Sequence, residues 1–191
     1  MKKIFTLFFI LLCTSSYANT AHFRPYIGFD GGLSIADYTT DIAQEENYYS
    51  ATINAGARIG RNFGFELFFT HSSSNDAEYI YSLETLNHEI YYMGFGFDIY
   101  AYYGISPEFD FFTSFGVANY KIYNKYEYIT PYLSETQTQS DNSVNTRLGI
   151  GFMYTLPSDN LSLLLQYQYA PISNEIINTL SEFSVGVRYI F

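Results

Sequence analysis

The sequence predicts an all-β fold, an eight-stranded antiparallel up-and-down transmembrane β-barrel. Three observations predict it. Apolar and polar residues alternate with a period of two in eight segments of about ten residues, the spacing of strands whose two faces meet different surroundings. Beyond the N-terminal segment, no run is apolar for the ~18 residues that a helical span needs. The links between segments alternate in length, short and then long, as in barrels with tight turns on one side of a membrane and loops on the other.

The 191 residues suit one domain. Lys2 and Lys3 precede the apolar run Ile4 to Leu12, and small and polar residues follow to Ser16-Tyr17-Ala18. That order predicts a secretory signal peptide over residues 1–18, cut between Ala18 and Asn19, with the barrel over 19–191. A lipoprotein reading fails because Leu12 stands where a small residue should precede Cys13. Cleavage removes Cys13, the only cysteine, so the exported domain must hold together without disulfides. Loss of Lys2 and Lys3 takes the formal charge from −10 to −12, which leaves no basic footprint for nucleic acid. With 21 Tyr and 18 Phe, the chain is far too aromatic for an acidic disordered segment.

The first segment, Arg24 to Ser34, sets Ile27, Phe29 and Leu33 against Gly28, Asp30 and Gly32. The second, Ser50 to Gly60, sets Ile53 and Ile59 against Asn54 and Arg58, and the third, Phe63 to Ser72, sets Phe65, Leu67 and Phe69 against Gly64, Glu66 and Thr70. The fourth, His88 to Tyr100, opposes Phe95, Phe97 and Ile99 to Gly94, Gly96 and Asp98. The fifth runs from Phe109 to Tyr120 with Asp110 on its polar face, and the sixth from Asn145 to Leu156 with Arg147 on its own. In the seventh, Leu161 to Tyr169, leucines face away from Gln166 and Gln168. The eighth, Glu182 to Phe191, puts Phe183, Val185 and Val187 opposite Glu182, Gly186 and Arg188. A soluble sandwich shares the period, but large aromatics on one face and glycines on the other fit a crowded inside and a lipid-facing outside.

The short links fix register. Arg61 to Phe63 as a link sets Arg58 opposite Glu66, an expected interior ion pair, and Pro157 to Asn160 sets Leu156 opposite Leu161. The Gly94-Phe95-Gly96-Phe97 and Gly149-Ile150-Gly151-Phe152 runs are not nucleotide loops, since alternation continues through them.

The last segment, with Tyr189 two residues before the terminal Phe191, resembles the C-terminal assembly signal of bacterial outer-membrane proteins. Together with the signal peptide and Pro25-Tyr26-Ile27-Gly28, it makes the chain similar to the small outer-membrane barrel superfamily of outer membrane proteins A and X. The resemblance implies a Gram-negative outer membrane, recognition by the barrel-assembly machinery, and lipopolysaccharide and lipid as neighbours.

Arg24, Asp30, Arg58, Glu66, Asp98, Asp110, Arg147, Glu182 and Arg188 form the expected inward charge set. Eight strands leave an interior that side chains fill, so these charges should pair into a packed polar layer instead of lining a narrow path for ions or solutes. Tyr100, Tyr102, Tyr103, Tyr120, Tyr123, Tyr167, Tyr169 and Tyr189 are read as girdles at the lipid boundary. Four long links, Ala36 to Tyr48, Ser73 to Leu86, Asn124 to Ser143 and Pro171 to Ser181, carry much of the acid but no calcium-loop spacing; neither metal nor cofactor is expected. Lys121 and Lys125 at the rim suit lipid phosphates or simply add solubility. His71-Ser72-Ser73-Ser74-Asn75 partly resembles the outward His and Ser of lipid A deacylases. However, Asn75 follows Ser74, outside the expected pairing, and the motif sits in the wrong half of the chain. The expectation is a non-enzymatic, surface-exposed structural or adhesin-like protein that meets host or matrix molecules through its loops. A narrow-pore conductor and a lipid A-modifying enzyme are the rivals.

Overall fold

A computed structural model describes residues 23–39, 46–81, 84–130, 132–158, 160–172 and 176–191. The expected cleavage site at Ala18 and Asn19 lies outside the described residues. Among the described residues nine strands run in order: β1 Phe23–Tyr38, β2 Asn47–Ile59, β3 Phe63–Ser72, β4 Asn75–Tyr81, β5 Glu84–Gly104, β6 Phe109–Ile129, β7 Ser134–Thr155, β8 Leu161–Pro171 and β9 Ile177–Ile190. Every pairing is antiparallel. The spatial order is β3-β2-β1-β9-β8-β7-β6-β5, and β5 pairs again with β3 from Phe63↔Ala101 to His71↔Met93. Eight strands therefore form a ring, in which each backbone polar group of the wall finds a partner in the next strand.

β4 is the ninth strand, where the sequence predicted a long link. It continues the line of β3 after a break at Ser73-Ser74. Pairing with β5 resumes at Asn75↔Ile90, so residues 72–74 stand against residues 91–92, a bulge of one residue. The Ser73 hydroxyl accepts a hydrogen bond from the Tyr49 N–H at 3.1 Å, which carries the β2–β3 ladder across the break.

The expected link at Asn124 to Ser143 is likewise mostly strand. β6 and β7 pair without interruption from Phe109↔Tyr154 to Ile129↔Ser134, and the turn is tied by the Thr130 hydroxyl, which donates to the Leu133 carbonyl at 3.0 Å. Tyr123, Tyr126, Tyr128, Thr136 and Thr138 favour extended backbone, but no apolar face alternates with a polar one there to announce a strand.

The opposite end has short turns. Gly60 takes a left-handed φ of 62° and starts the turn to β3, a conformation that a Cβ would strain. The Ser106 hydroxyl accepts from the Phe109 N–H at 3.1 Å in the second turn. The third places the Leu156 N–H on the Leu161 carbonyl at 2.8 Å, in the predicted register.

The β2–β3 register departs from expectation. Arg58 pairs with Gly64, and Glu66 with Gly56, so Arg58 and Glu66 are not opposite each other. The strand pairing reaches Ile59↔Phe63 around Gly60, Arg61 and Asn62, a turn that the positive φ of Gly60 permits.

Outward side chains are apolar on every strand of the ring; Phe29 is 56% exposed and Ile53 59%. Such a continuous belt has no place on a water-soluble surface and matches contact with hydrocarbon. Inside lie two apolar clusters. One, toward the long hairpins, is built on Tyr48, Phe68, Ile90, Tyr92, Tyr120 and Ile122; the other, toward the short turns, on Tyr100, Tyr102, Phe112, Met153 and Leu164. Tyr100, Tyr102 and Tyr120 are thus core residues and not boundary girdles, because their even positions share the inward face. Tyr103, Tyr167, Tyr169 and Tyr189 do lie exposed outside.

Candidate functional site

Between the two apolar clusters the ring carries a layer of charge. Strand parity turns Asp30 of β1, Glu66 of β3, Asp98 of β5, Arg147 of β7, and Glu182 and Arg188 of β9 inward, and all are buried. Register then creates a conflict, because Glu66 and Asp98 stand directly opposite each other. Like charges in that position repel. Each is met by an arginine from a strand that is not its neighbour: Arg188 Nε donates to Glu66 at 3.0 Å, and Arg147 Nη2 lies 3.1 Å from Asp98. The other arm of Arg188 grips Asp30, with Nη2 at 3.0 Å.

Neutral groups complete the layer. The Tyr100 hydroxyl donates to Glu66 at 3.0 Å, Asn54 to Asp30 at 2.8 Å, and Ser34 to Glu182 at 3.1 Å. The Arg147 guanidinium lies 3.7 Å from the ring centre of Phe68, a cation–π contact. Close packing requires small residues opposite the charged ones. A Cβ on Gly186 would fall 1.7 Å from Asp30 Oδ1, and one on Gly116 1.9 Å from Asp98 Oδ1. Unpaired, these buried charges would be costly; paired, they tie neighbouring and non-neighbouring strands of the ring together from inside. A cavity of about 20 Å³ beside Glu66 and Arg188 has room for roughly one water.

Of the nine expected inward charges, six meet in this layer. Arg58 and Asp110 form a separate pair at 2.7 Å near the short turns, with half-buried Arg24 beside them across β1–β2. Ser34, Asn54, Tyr92, Tyr100 and Phe68 were missed as participants. Their signal was present, since each shares the parity of a charged inward residue on its own strand or the next.

At the other end, β5, β6 and β7 run 21, 21 and 22 residues, against 10 in β3 and 11 in β8. The excess forms a sheet of β4 to β7 that leaves the ring. Among the described residues, no strand covers the far side of β7 from Ser134 to Arg147, since pairing with β8 begins at Leu148↔Tyr169. On the outer wall, His71 stacks on Tyr91 with centroids 6.0 Å apart, and Tyr91 on Tyr123 at 4.7 Å. Lys121 lies 4.7 Å over Tyr123, and Lys125 pairs with Glu89 at 2.9 Å, a hydrogen bond that raises the lysine pKa above its ordinary value.

The partial deacylase pattern does not assemble as a nucleophile and base. His71 stacks on Tyr91. Ser73 Oγ accepts from the Tyr49 N–H, and Ser72 Oγ donates to the Ser73 carbonyl and accepts from the Tyr92 N–H. No cluster of His, Cys, Asp and Glu suited to a metal ion occurs among the described residues. The C-terminal pair Tyr189 and Phe191 lies exposed outside with rings 5.3 Å apart, and the Phe191 N–H reaches the Pro25 carbonyl at 3.0 Å.

Solved structures share this architecture. Neisserial surface protein A is 17% identical with a TM-score of 0.57, over 91% of this chain and 100% of that one. A major outer membrane protein of Thermus thermophilus is 14% identical with a TM-score of 0.58, over 89% and 100%. Ail, the attachment invasion locus protein of Yersinia pestis, is 14% identical with a TM-score of 0.54, over 88% and 97%. At such identities the likeness is one of fold. No curated protein matches the sequence. The sequence pattern of the outer membrane protein beta-barrel domain matches residues 4–191, essentially the whole chain, and the chain belongs to that family.

Proposed function

We propose that the protein is a surface-exposed, non-enzymatic outer-membrane protein that meets its partners through the sheet beyond the ring. One observation carries the reading. A membrane strand needs about 9–11 residues, yet three consecutive strands here run to 21 or 22. In the arrangement usual for such barrels, short turns face the periplasm and the longer hairpins face outward. The filled interior, with apolar clusters on both sides of the charge layer, argues against a solute path.

The same likeness narrows the partner. Ail has been crystallised with the heparin analogue sucrose octasulfate. A polyanion suits this chain poorly: the outer sheet and its neighbours carry Asp76, Glu78, Glu89, Glu127, Glu135 and Asp141 against Lys121 and Lys125. A basic or uncharged host or matrix molecule fits better. Export by cleavage between Ala18 and Asn19, recognition of Tyr189 and Phe191 by the barrel-assembly machinery, and a lipopolysaccharide-rich surrounding complete the proposal.

The test replaces residues 127–136, beyond the buried Ile122 and Asn124, with a short turn, and compares attachment of expressing cells to matrix-coated surfaces. Heat-modifiable gel migration of the outer-membrane fraction monitors the ring. Lost attachment with an intact ring is the expected result. Attachment at the parental level would overturn the reading.

A further inference from the structure

Nineteen acids face nine bases in this chain, yet arginines predominate among the described residues that line one cavity at the short-turn mouth of the ring. A cavity of about 280 Å³ opens there, lined by Arg24, Arg58, Arg61, Asp110 and Thr155 with Gly60 and Pro107. Among the described lining residues, three guanidiniums accompany one carboxylate. Two of the three stand directly opposite each other, Arg24 on β1 and Arg58 on β2, both turned inward.

The cations are placed, not loose. Arg58 Nη1 donates to Asp110 at 2.7 Å, its Nε donates to the Arg61 carbonyl at 3.2 Å, and its guanidinium lies 4.4 Å over Tyr102. Arg61 follows Gly60, whose positive φ shapes the turn. Its guanidinium rests against the end of β5 at Gly104, where a Cβ would come within 2.8 Å of Nη2. Glycine there leaves the space that Arg61 fills.

We propose that this mouth is a binding site for a phosphate group, held among Arg24, Arg58 and Arg61. Guanidinium forks match phosphate oxygens in geometry and charge. The described lining residues include three arginines and one aspartate, and a phosphomonoester carries about −1.5 to −2 at neutral pH. The phosphate has two sources: a soluble phosphate or phosphomonoester, or the head group of a phospholipid in the leaflet beside the short turns. The site is independent of the outer sheet.

The test titrates inorganic phosphate into the purified protein in nonionic maltoside micelles and follows the arginine Nε–H resonances. Saturable shifts of Arg24, Arg58 and Arg61 with a Kd on the order of 1 mM are expected, and none with chloride at equal ionic strength. Arg61→Gln, in an exposed turn, should weaken binding about tenfold, and so should Gly104→Ala, which displaces the Arg61 guanidinium. Lys121→Gln should leave it unchanged. No saturable shift up to roughly 50 mM phosphate, or an unaltered Kd in Arg61→Gln, overturns the site. Nanodiscs of phosphatidylglycerol separate the sources. Arginine signals already at their bound positions, with no further response to phosphate, assign the lipid. A phosphate titration like that in micelles assigns the soluble ligand.

Discussion

β7 lives in two environments. From Arg147 to Thr155 buried and exposed residues alternate strictly; from Ser134 to Thr146 none is buried on either side. Pairing with β6 runs unbroken through both halves. The backbone ladder is therefore indifferent to what surrounds it. What changes is the second neighbour: β8 flanks the lower half, and no described strand flanks the upper. In the ring, stability rests on closure and on charges paired across a packed lumen. In the upper half of β7 it rests on the β6 ladder and the Thr, Gln and Ser side chains that water tolerates.

The sharpest way to break this contrast is Arg188→Met. It strands Asp30 and Glu66 without their common cation, and a loss of about 3–5 kcal/mol is expected in urea unfolding followed by circular dichroism. Adding Asp30→Asn and Glu66→Gln should recover much of it. An unaltered midpoint in the single variant would mean that the charge layer does not hold the ring. Gly116→Ala comes next, at about 1–3 kcal/mol, because its Cβ meets Asp98 and the Phe97 carbonyl. A double-mutant cycle sharpens the register: Arg188 and Glu66 should couple by roughly 0.5–3 kcal/mol, and Arg58 and Glu66 by less than about 0.5.

Trimming residues 127–136, which lie beyond the buried Ile122 and Asn124, should lower the unfolding free energy by no more than about 0.5 kcal/mol, which separates the outer sheet from the ring energetically. A large loss would show that the hairpin supports the wall. Smallest is Lys125. Its raised pKa in the folded state means that the pair with Glu89 contributes fully below the ordinary lysine range, and that the contribution fades as pH rises through the raised value. Hydrogen exchange at Tyr91 and Tyr123 should quicken above that pH in the parent and show no such step in Lys125→Gln.

Much of the ring was legible because every strand of it separates two solvents. Phe29, Ile53, Phe97 and Val187 alternate with Asp30, Asn54, Asp98 and Arg188, and a period of two fixes which face each takes. The outer strands were not legible for the complementary reason. Where both faces meet water, Tyr126 and Thr136 carry no alternation, and the extended backbone leaves only propensity as a trace. Inward tyrosines misled for a different cause. Tyr100 and Tyr120 sit near the ends of their apolar stretches as boundary residues do, and only strict parity separates inside from outside.

Read alone, the order of amino acids establishes an all-β chain with a greasy outer face, inward charges and a family membership visible along nearly its whole length. These are local properties, written in spacing and composition. Which charges meet is a property of the folded ring. Arg188 reaches Asp30 because closure sets β9 beside β1, and it reaches Glu66, as Arg58 reaches Asp110, across the lumen between strands that are not neighbours. A shift of register in the Gly60 turn moved Arg58 away from Glu66, and no count of residues along one hairpin contains the partners on the opposite wall.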